Sequence, residues 1–394
     1  MEIDLSIATL EKLSQCRGKR QRYTIGIPAE SDNAEQRVGL TPRAVMILVD
    51  AGYNVLVEHN AGMKAGFSDT EYSDNGAFIV EKEEALDTDI IFKIAPPTIK
   101  EIEKIRKLAI IFSIAHTRTQ SEEYFAHLIK KKITAIAYDN LRNKNGDLII
   151  MDTLCKIIGN ACPLIAGEYF SSTNDGYIIG SFGGISPTEI VFLGATKVAE
   201  TAAKIFLSMD ASIKIFDCSI SRLNDIKQIL GHPIYTSTLY PETLKDAITK
   251  ADLVIADSFY RSTDEYLIDE GLVKQMKKGS LIIDVGIAQG SKIETSHPTT
   301  LERPFYTKHK VTHYCVPNIS SRFPKTSSKA ISNILSPILL ELAKGHSFDD
   351  LILINKSLRS GIYLYKGILT DDFVAAKYGM NAKKLDILLD FSMS

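Results

Sequence analysis

The sequence predicts an α/β protein of two doubly wound domains with a cleft between them. Three observations predict it. From Tyr23 onward short apolar runs alternate with amphipathic helical patterns, as parallel-sheet architecture requires. The 394 residues exceed what one hydrophobic core usually organises. A polar turn, Leu141 to Asp147, separates two such alternating sets.

The runs TIGIP, NVLVEH, AFIV, DIIFKI, AIIFSI and ITAIAY read as strands before residue 140. Between the first two lies a well-signalled helix. Thr41 is its N-cap, Pro42 its first residue, Val45, Leu48 and Val49 its apolar face, and Gly52 its stop. A long helical pattern follows the polar turn over residues 154–170. Then TEIVFLGA, SIKIFD, ADLVIAD and GSLIIDVGI read as a second set of strands, ended by TKHKVTHYCVPN. After Pro324, Lys325 to Lys344 has helical periodicity and is expected to cross back to the first domain. The expected boundaries are an extension over 1–22, a substrate domain over 23–150 plus 324–394, and a nucleotide domain over 151–323. In the extension, Leu5, Ala8, Leu10 and Leu13 fit one face of a short helix, read as a surface appendage. Its early acids, Glu2 and Asp4, argue against a secretory signal.

The charge balance, 46 basic against 48 acidic residues, gives no reason to expect nucleic acid or a membrane surface as partner. A small molecule or protein is favoured. No run reaches the roughly 20 consecutive apolar residues of a spanning helix. Five scattered cysteines without a C-x-x-C pair indicate neither a disulfide framework nor a zinc site. The chain therefore reads as reduced and cytoplasmic. Cys155 and Cys162, seven apart on a helical pattern, fit small buried hydrophobes. His309 and His313 are spaced i, i+4, but THYCV reads as a strand, so no metal site is expected.

The strand EIVFLG runs into GATKVA, Gly194 to Ala199, and then a helix, the context of a dinucleotide-binding G-x-G-x-x-G/A turn in a Rossmann-like domain. Gly194, Ala195, Thr196 and Val198 are the candidate phosphate contacts. Gly194 supplies the tight turn and Ala199 is an allowed third position. Thr196 stands where a second glycine lets the backbone approach a pyrophosphate, and its branched side chain is expected to push phosphates away. Asp217 ends the next strand, where an acid accepts hydrogen bonds from an adenosine ribose and disfavours a 2′-phosphate. This points to NAD rather than NADP.

The segment IGIPAESDNAEQRVGLTPRAVMILVDAGYNVLVEHNAGMKAGFSD, Ile25 to Asp69, resembles the N-terminal signature of the alanine dehydrogenase and nicotinamide nucleotide transhydrogenase α-subunit family. The resemblance runs to about residue 345, through DIIFKIAPP, TAIAYDNL and YCVPNISSRFPKTSS. It implies NAD-linked interconversion of L-alanine with pyruvate and ammonia, a small amino or keto acid as substrate, and a homo-oligomer, commonly a hexamer. On its motifs Arg37 matches the carboxylate-binding arginine, His116 the catalytic histidine, and Asn318 a residue near the nicotinamide. An arginine fork suits a carboxylate, and a histidine, with an ordinary pKa of about 6.5, suits proton transfer.

Three positions depart from the family pattern. The substrate lysine falls on Ala95; Lys93, the candidate substrate-binding residue in its place, shares its strand parity and lies two residues back, about 6–7 Å along a strand. The catalytic aspartate falls on Ala288, while Asp284 matches an acid read as structural. The Met-Ser-Glu that caps the cofactor phosphates reads Leu154, Cys155, Lys156, with Cys155 the candidate cofactor contact. The first reading is therefore an alanine dehydrogenase-type oxidoreductase. The alternative is a catalytically impaired paralogue, a pseudoenzyme serving as a binding or hetero-oligomer subunit. Transhydrogenase α-like hydride transfer ranks third.

Overall fold

The computed structural model describes residues 23–172, 176–257, 266–343 and 347–392. The chain forms two compact units, one comprising the chain up to Thr153 and from Phe323 onward, the other Leu154–Arg322. The extension over residues 1–22 lies outside the described residues.

In chain order the first unit opens with β1 (Thr24–Ile27), α1 (Pro42–Asp50), β2 (Asn54–Glu58), α2 (Asp69–Asp74), β3 (Phe78–Val80) and α3 (Lys82–Leu86). It continues with β4 (Ile90–Phe92), α4 (Ile99–Lys104), β5 (Ile110–Ser113), α5 (Glu122–Lys130) and β6 (Thr134–Ala137), and enters α6 (Ile149–Ser172). The second unit adds β7 (Glu189–Leu193), α7 (Lys197–Ser208), β8 (Ser212–Phe216), α8 (Ile220–Leu230) and β9 (Tyr235–Ser237). Then come α9 (Pro241–Lys250), β10 (Leu253–Ala256), α10 (Glu270–Val273), β11 (Leu281–Asp284) and the hairpin β12 (Phe305–Lys308) and β13 (Val311–Tyr314). The chain returns to the first unit through α11 (Pro324–Ala343), α12 (Phe348–Ile354), α13 (Lys356–Gly361), β14 (Ile362–Tyr365), β15 (Ile368–Leu369), α14 (Asp372–Tyr378) and α15 (Leu385–Ser392).

The first sheet has the order β3-β2-β1-β4-β5-β6-β14-β15, parallel through β6 and antiparallel at β14 and β15. The second has the order β9-β8-β7-β10-β11-β13-β12, parallel except for β12. Each is therefore doubly wound, with its strand order reversing once, between β1 and β4 and between β7 and β10. A crevice opens outside the carboxyl ends of strands at such a reversal, and ligands bind there.

All six runs read as strands before residue 140 form strands of the first sheet. Thr41 is the N-cap of α1, but its hydroxyl faces Ser332 Oγ of α11 at 3.3 Å and caps no first-turn amide. The same seam ties the Val38 amide to Ser328 Oγ at 2.9 Å and the Tyr53 hydroxyl to the Leu339 carbonyl at 2.6 Å. The helix expected over 154–170 starts earlier, at Ile149, because Ile149, Ile150 and Met151 extend the apolar run past the polar turn. Among the described residues, α6 is the one helix long and apolar enough to cross a membrane by length and composition. Its second half packs into the second unit: Cys162, Ile165 and Ala166 are buried, and the Tyr169 hydroxyl bonds Thr312 Oγ1 at 2.9 Å. Gly159 makes this approach possible, since a Cβ there would lie 2.6 Å from Thr201 Cβ of α7.

Gly26 sets a stricter limit at the centre of β1. A Cβ there would meet the Ala85 carbonyl oxygen at 1.9 Å and Thr88 Oγ1 at 2.5 Å. Overpacking of rigid neighbours destabilises a core. Gly26→Ala is expected to cost about 3 kcal/mol or more of unfolding free energy, read as a lowered denaturant midpoint at unchanged slope.

Candidate functional site

In the first unit the chemistry gathers at the carboxyl ends of β1, β4, β5 and β6. Glu30, just past β1, crosses the strand-order reversal and accepts the backbone amides of Ile94 at 2.5 Å and Ala95 at 3.2 Å. The Lys93 ammonium lies 3.5 Å from Glu30, 3.1 Å from Glu101 and 3.4 Å from the Ala29 carbonyl. Lys82 and Ser31 complete the set, 2.9 Å and 2.7 Å from Glu101. Burial pushes the Glu30 carboxyl up to about 7, with Lys93 and the Ile94 amide opposing the shift and the charge of Glu35 adding to it. Burial also acts to raise Glu101, but Lys93, Lys82 and the Thr98 amide outweigh it and hold that carboxyl at about 2. Lys93 is thus an internal counter-ion, 1% exposed, and Ala95 beside it is half-buried.

Arg37 is 3% exposed and meets Glu35 through both edges of one fork, Nε to Oε1 at 2.7 Å and an Nη to Oε2 at 2.6 Å. A guanidinium held this way keeps a fixed plane for a carboxylate partner. Burial opposes its charge, and Glu35 more than compensates, so its pKa is raised. His116 follows β5, exposed, with left-handed backbone at φ 46°. Such a conformation is uncommon for a non-glycine residue, and functional sites are where it collects. Asp139, past β6, accepts the Ala115 amide at 3.3 Å. Burial raises its pKa, against the Ala115 amide and the charge of nearby His116.

In the second unit Gly194 is required by space as well as by its φ of 112°: a Cβ would stand 2.4 Å from the Asp257 carbonyl oxygen. Thr196 is the N-cap of α7, and its hydroxyl accepts the Ala199 amide at 3.3 Å while donating to Asp257 Oδ2 at 2.5 Å. The hydroxyl of Thr196 is therefore turned back toward β10. Asp257 spans the second strand-order reversal as Glu30 spans the first. Burial pushes it up to about 6, opposed by the Thr196 hydroxyl and reinforced by Asp284. The Val198 side chain is buried, so a phosphate at α7 would meet its amide.

Asp217 is 1% exposed. Its Oδ2 accepts the Ala195 amide at 2.8 Å, and its Oδ1 accepts the Ser219 amide at 2.7 Å and the Arg222 fork at 2.7 and 3.1 Å. Among the described residues Oδ2 takes the Ala195 amide as its one donor, and the side chain is buried. Cys155, half-buried, lies in the second turn of α6, not at its terminus; Leu154 is buried and Lys156 exposed. Asn318 lies half-buried past β13 and accepts the Ser320 hydroxyl at 2.9 Å. Ala288 is exposed in a one-turn 3-10 segment past β11, while Asp284 is buried and takes the Ser291 hydroxyl. His309 pairs with Glu270 at 2.6 Å and His313 with Thr295 Oγ1 at 2.7 Å. No group of three potential metal ligands occurs among the described residues.

Sequence reasoning missed Glu30, Asp139 and Asp257. Each is the acid that follows a strand, in TIGIPAE, ITAIAYD and ADLVIAD, and the strand-order reversal explains why two of them matter. A strand-end rule alone could have marked all three.

Two doubly wound units, one with an arginine and a histidine at its strand ends and the other with a glycine turn ahead of a helix, define a two-unit α/β protein of Rossmann-like type. Residues 26–158 match the family model "Alanine dehydrogenase/PNT, N-terminal domain", and residues 162–372 match "Alanine dehydrogenase/PNT, C-terminal domain". The chain belongs to the alanine dehydrogenase/PNT family. It is 32% identical over 367 residues to Alanine dehydrogenase 2 of Staphylococcus aureus (strain USA300), covering 92% of this chain and 98% of the relative. Among solved structures, an L-alanine dehydrogenase superposes with a TM-score of 0.82 at 29% identity, over 90% of this chain and 99% of that one. The transhydrogenase from Sinorhizobium meliloti shares the fold, with a TM-score of 0.73 at 20% identity over 88% and 98%.

The raised carboxyl of Glu30 has a testable sign. The folded chain holds its proton to higher pH than the unfolded chain, so the associated stability is present below about 4.5 and is lost as pH climbs through about 7. Urea unfolding from pH 4.5 to 8 should show the native chain losing about 2–3 kcal/mol relative to Glu30→Gln across that window.

Proposed function

We infer that this chain is an NAD-linked oxidoreductase that interconverts a small 2-amino acid with its 2-oxo acid, L-alanine and pyruvate in the first instance. The observation that carries this reading is the full-length relationship to alanine dehydrogenases together with the placement of Arg37 and His116 at the carboxyl side of the first sheet. In this reading Arg37, oriented by Glu35, receives the substrate carboxylate. His116 moves the proton at the amine, with Asp139 supplying negative charge nearby. The residues of the second unit fit a dinucleotide: Gly194 permits the tight turn, Thr196 is folded back onto Asp257, the Val198 amide heads α7 where an anion would sit, and Asp217, at the end of β8, is the acid assigned to the ribose. When bound, NAD supplies the hydride acceptor. In this reading Asn318 is the residue assigned to the nicotinamide and Cys155 the one assigned to the phosphates. The reading extends to a reduced, cytoplasmic setting and a homo-oligomer, a hexamer being the first expectation.

Ala95 and Ala288 favour a second reading, a paralogue that binds these ligands as a hetero-oligomer subunit without efficient turnover. Neither alanine can accept a proton or polarise a carbonyl. Lys93 reaches a substrate only by leaving Glu101.

Calorimetric titration separates binding from chemistry. NADH is expected to bind at about micromolar Kd, with NADPH at least about tenfold weaker. No binding up to millimolar NADH by the folded chain would overturn the oxidoreductase reading. In NADH-dependent reduction of pyruvate with ammonia, Arg37→Ala should raise KM for pyruvate by about 10- to 150-fold, the worth of a charge-assisted hydrogen bond. If the native chain binds NADH without turnover, Ala95→Lys with Ala288→Asp should introduce it, and failure of the folded double variant would favour the subunit reading.

A further inference from the structure

His116 keeps its left-handed backbone because the loop after it is tied from two directions. Within the loop, the His116 carbonyl accepts the Thr119 amide at 2.9 Å and the Gln120 amide at 3.3 Å, and Gln120 Nε2 reaches back to the Ala115 carbonyl at 3.3 Å. These bonds close a tight turn and leave its outward carbonyls, on Arg118 and Gln120, to other partners.

Those partners come from α14, some 260 residues further along the chain. Lys377 Nζ donates to the Arg118 carbonyl at 2.8 Å, and the Tyr378 hydroxyl donates to the Gln120 carbonyl. The Arg118 guanidinium sits over the Phe373 ring, 4.7 Å from its centroid, a cation–π contact. The helix giving these contacts is anchored. Asp371 caps it, accepting the Phe373 and Val374 amides at 2.9 and 3.1 Å. Val374 and Ala375 are buried in the core shared with Phe125 and Leu128 of α5. The Tyr378 ring lies 6.0 Å from that of Phe125. Ahead of it, the Tyr363 hydroxyl of β14 meets the Tyr124 hydroxyl at 3.2 Å in the same core.

We propose that α14 is a strap that fixes the His116 loop in its working conformation, with Phe373, Lys377 and Tyr378 as positioning residues for His116. The spacing supports the assignment: residues at i, i+4 and i+5 of one short helix hold the side chain of Arg118 and the carbonyls on either side of Thr119. The strap's catalytic consequence rests on the role given to His116 above. The holding itself does not.

Hydrogen exchange on the full chain without ligand tests the holding directly. Tyr378→Phe removes one hydroxyl and keeps the ring, and Lys377→Ala removes one ammonium from the surface, so neither empties the core. In each variant the Thr119 and Gln120 amides are expected to exchange about tenfold faster, with Ile111 to Ser113 of β5 unchanged. In NADH-dependent pyruvate reduction, kcat should fall alongside while KM for pyruvate stays within about twofold. Unchanged exchange at Thr119 and Gln120 in both variants overturns the strap; faster exchange with unchanged kcat overturns Phe373, Lys377 and Tyr378 as positioning residues for His116. If the native chain shows no turnover, accelerated exchange confined to this loop still supports the strap, and its absence overturns it.

Discussion

A doubly wound sheet has one place where neighbouring strands send their connections to opposite faces, and the ends of those two strands cannot cover each other. Both units fill that place with a buried carboxylate from the segment just past a strand end. In the first, Glu30 reaches from β1 to the amides of Ile94 and Ala95 beyond β4. In the second, Asp257 reaches from β10 to Thr196, the cap of the helix after β7. Each bridge ties two strand ends together, and Ala95 and Thr196 stand on the segments so tied. The position of Ala95, the start of α7 and the close approach at Gly194 all follow from them.

Burying these acids has a cost, and the two units meet it differently. Around Glu30 the chain supplies two lysines and a second glutamate, a network in which Glu101 remains an anion and Glu30 sits near neutrality. Buried charge networks contribute little net stability beside an apolar core, but they fix geometry. Around Asp257, among the described residues, the chain supplies a hydroxyl and another buried acid, Asp284. In the proposed reading a pyrophosphate at α7 draws on the amides and the dipole of that helix.

Most of the frame was legible in the residues. Alternating runs gave the strands, and Thr41, Pro42 and Gly52 delimited α1. Features depending on distant partners were not. Strand parity offered Lys93 as a stand-in for the missing lysine, but not the buried carboxylates, Glu30 and Glu101, that hold its ammonium. Thr196 read as an obstruction to phosphates. Its side chain is instead a helix cap, because a carboxylate 61 residues away accepts its proton. The strap on the His116 loop escaped reading for the same reason: α14 has only seven residues, and its meaning lies in a loop met long before it.

The two units also differ in when they can be completed. The second is one contiguous stretch, finished once Arg322 has been synthesised. The first waits. The helix lying on α1 and the strand that covers the edge of β6 belong to a segment made only after the whole second unit. Until then β6 exposes an unpaired edge, the kind of surface on which nascent chains associate wrongly. Early folding on the ribosome therefore favours the second unit, and the half carrying Arg37 and His116 reaches its final form last.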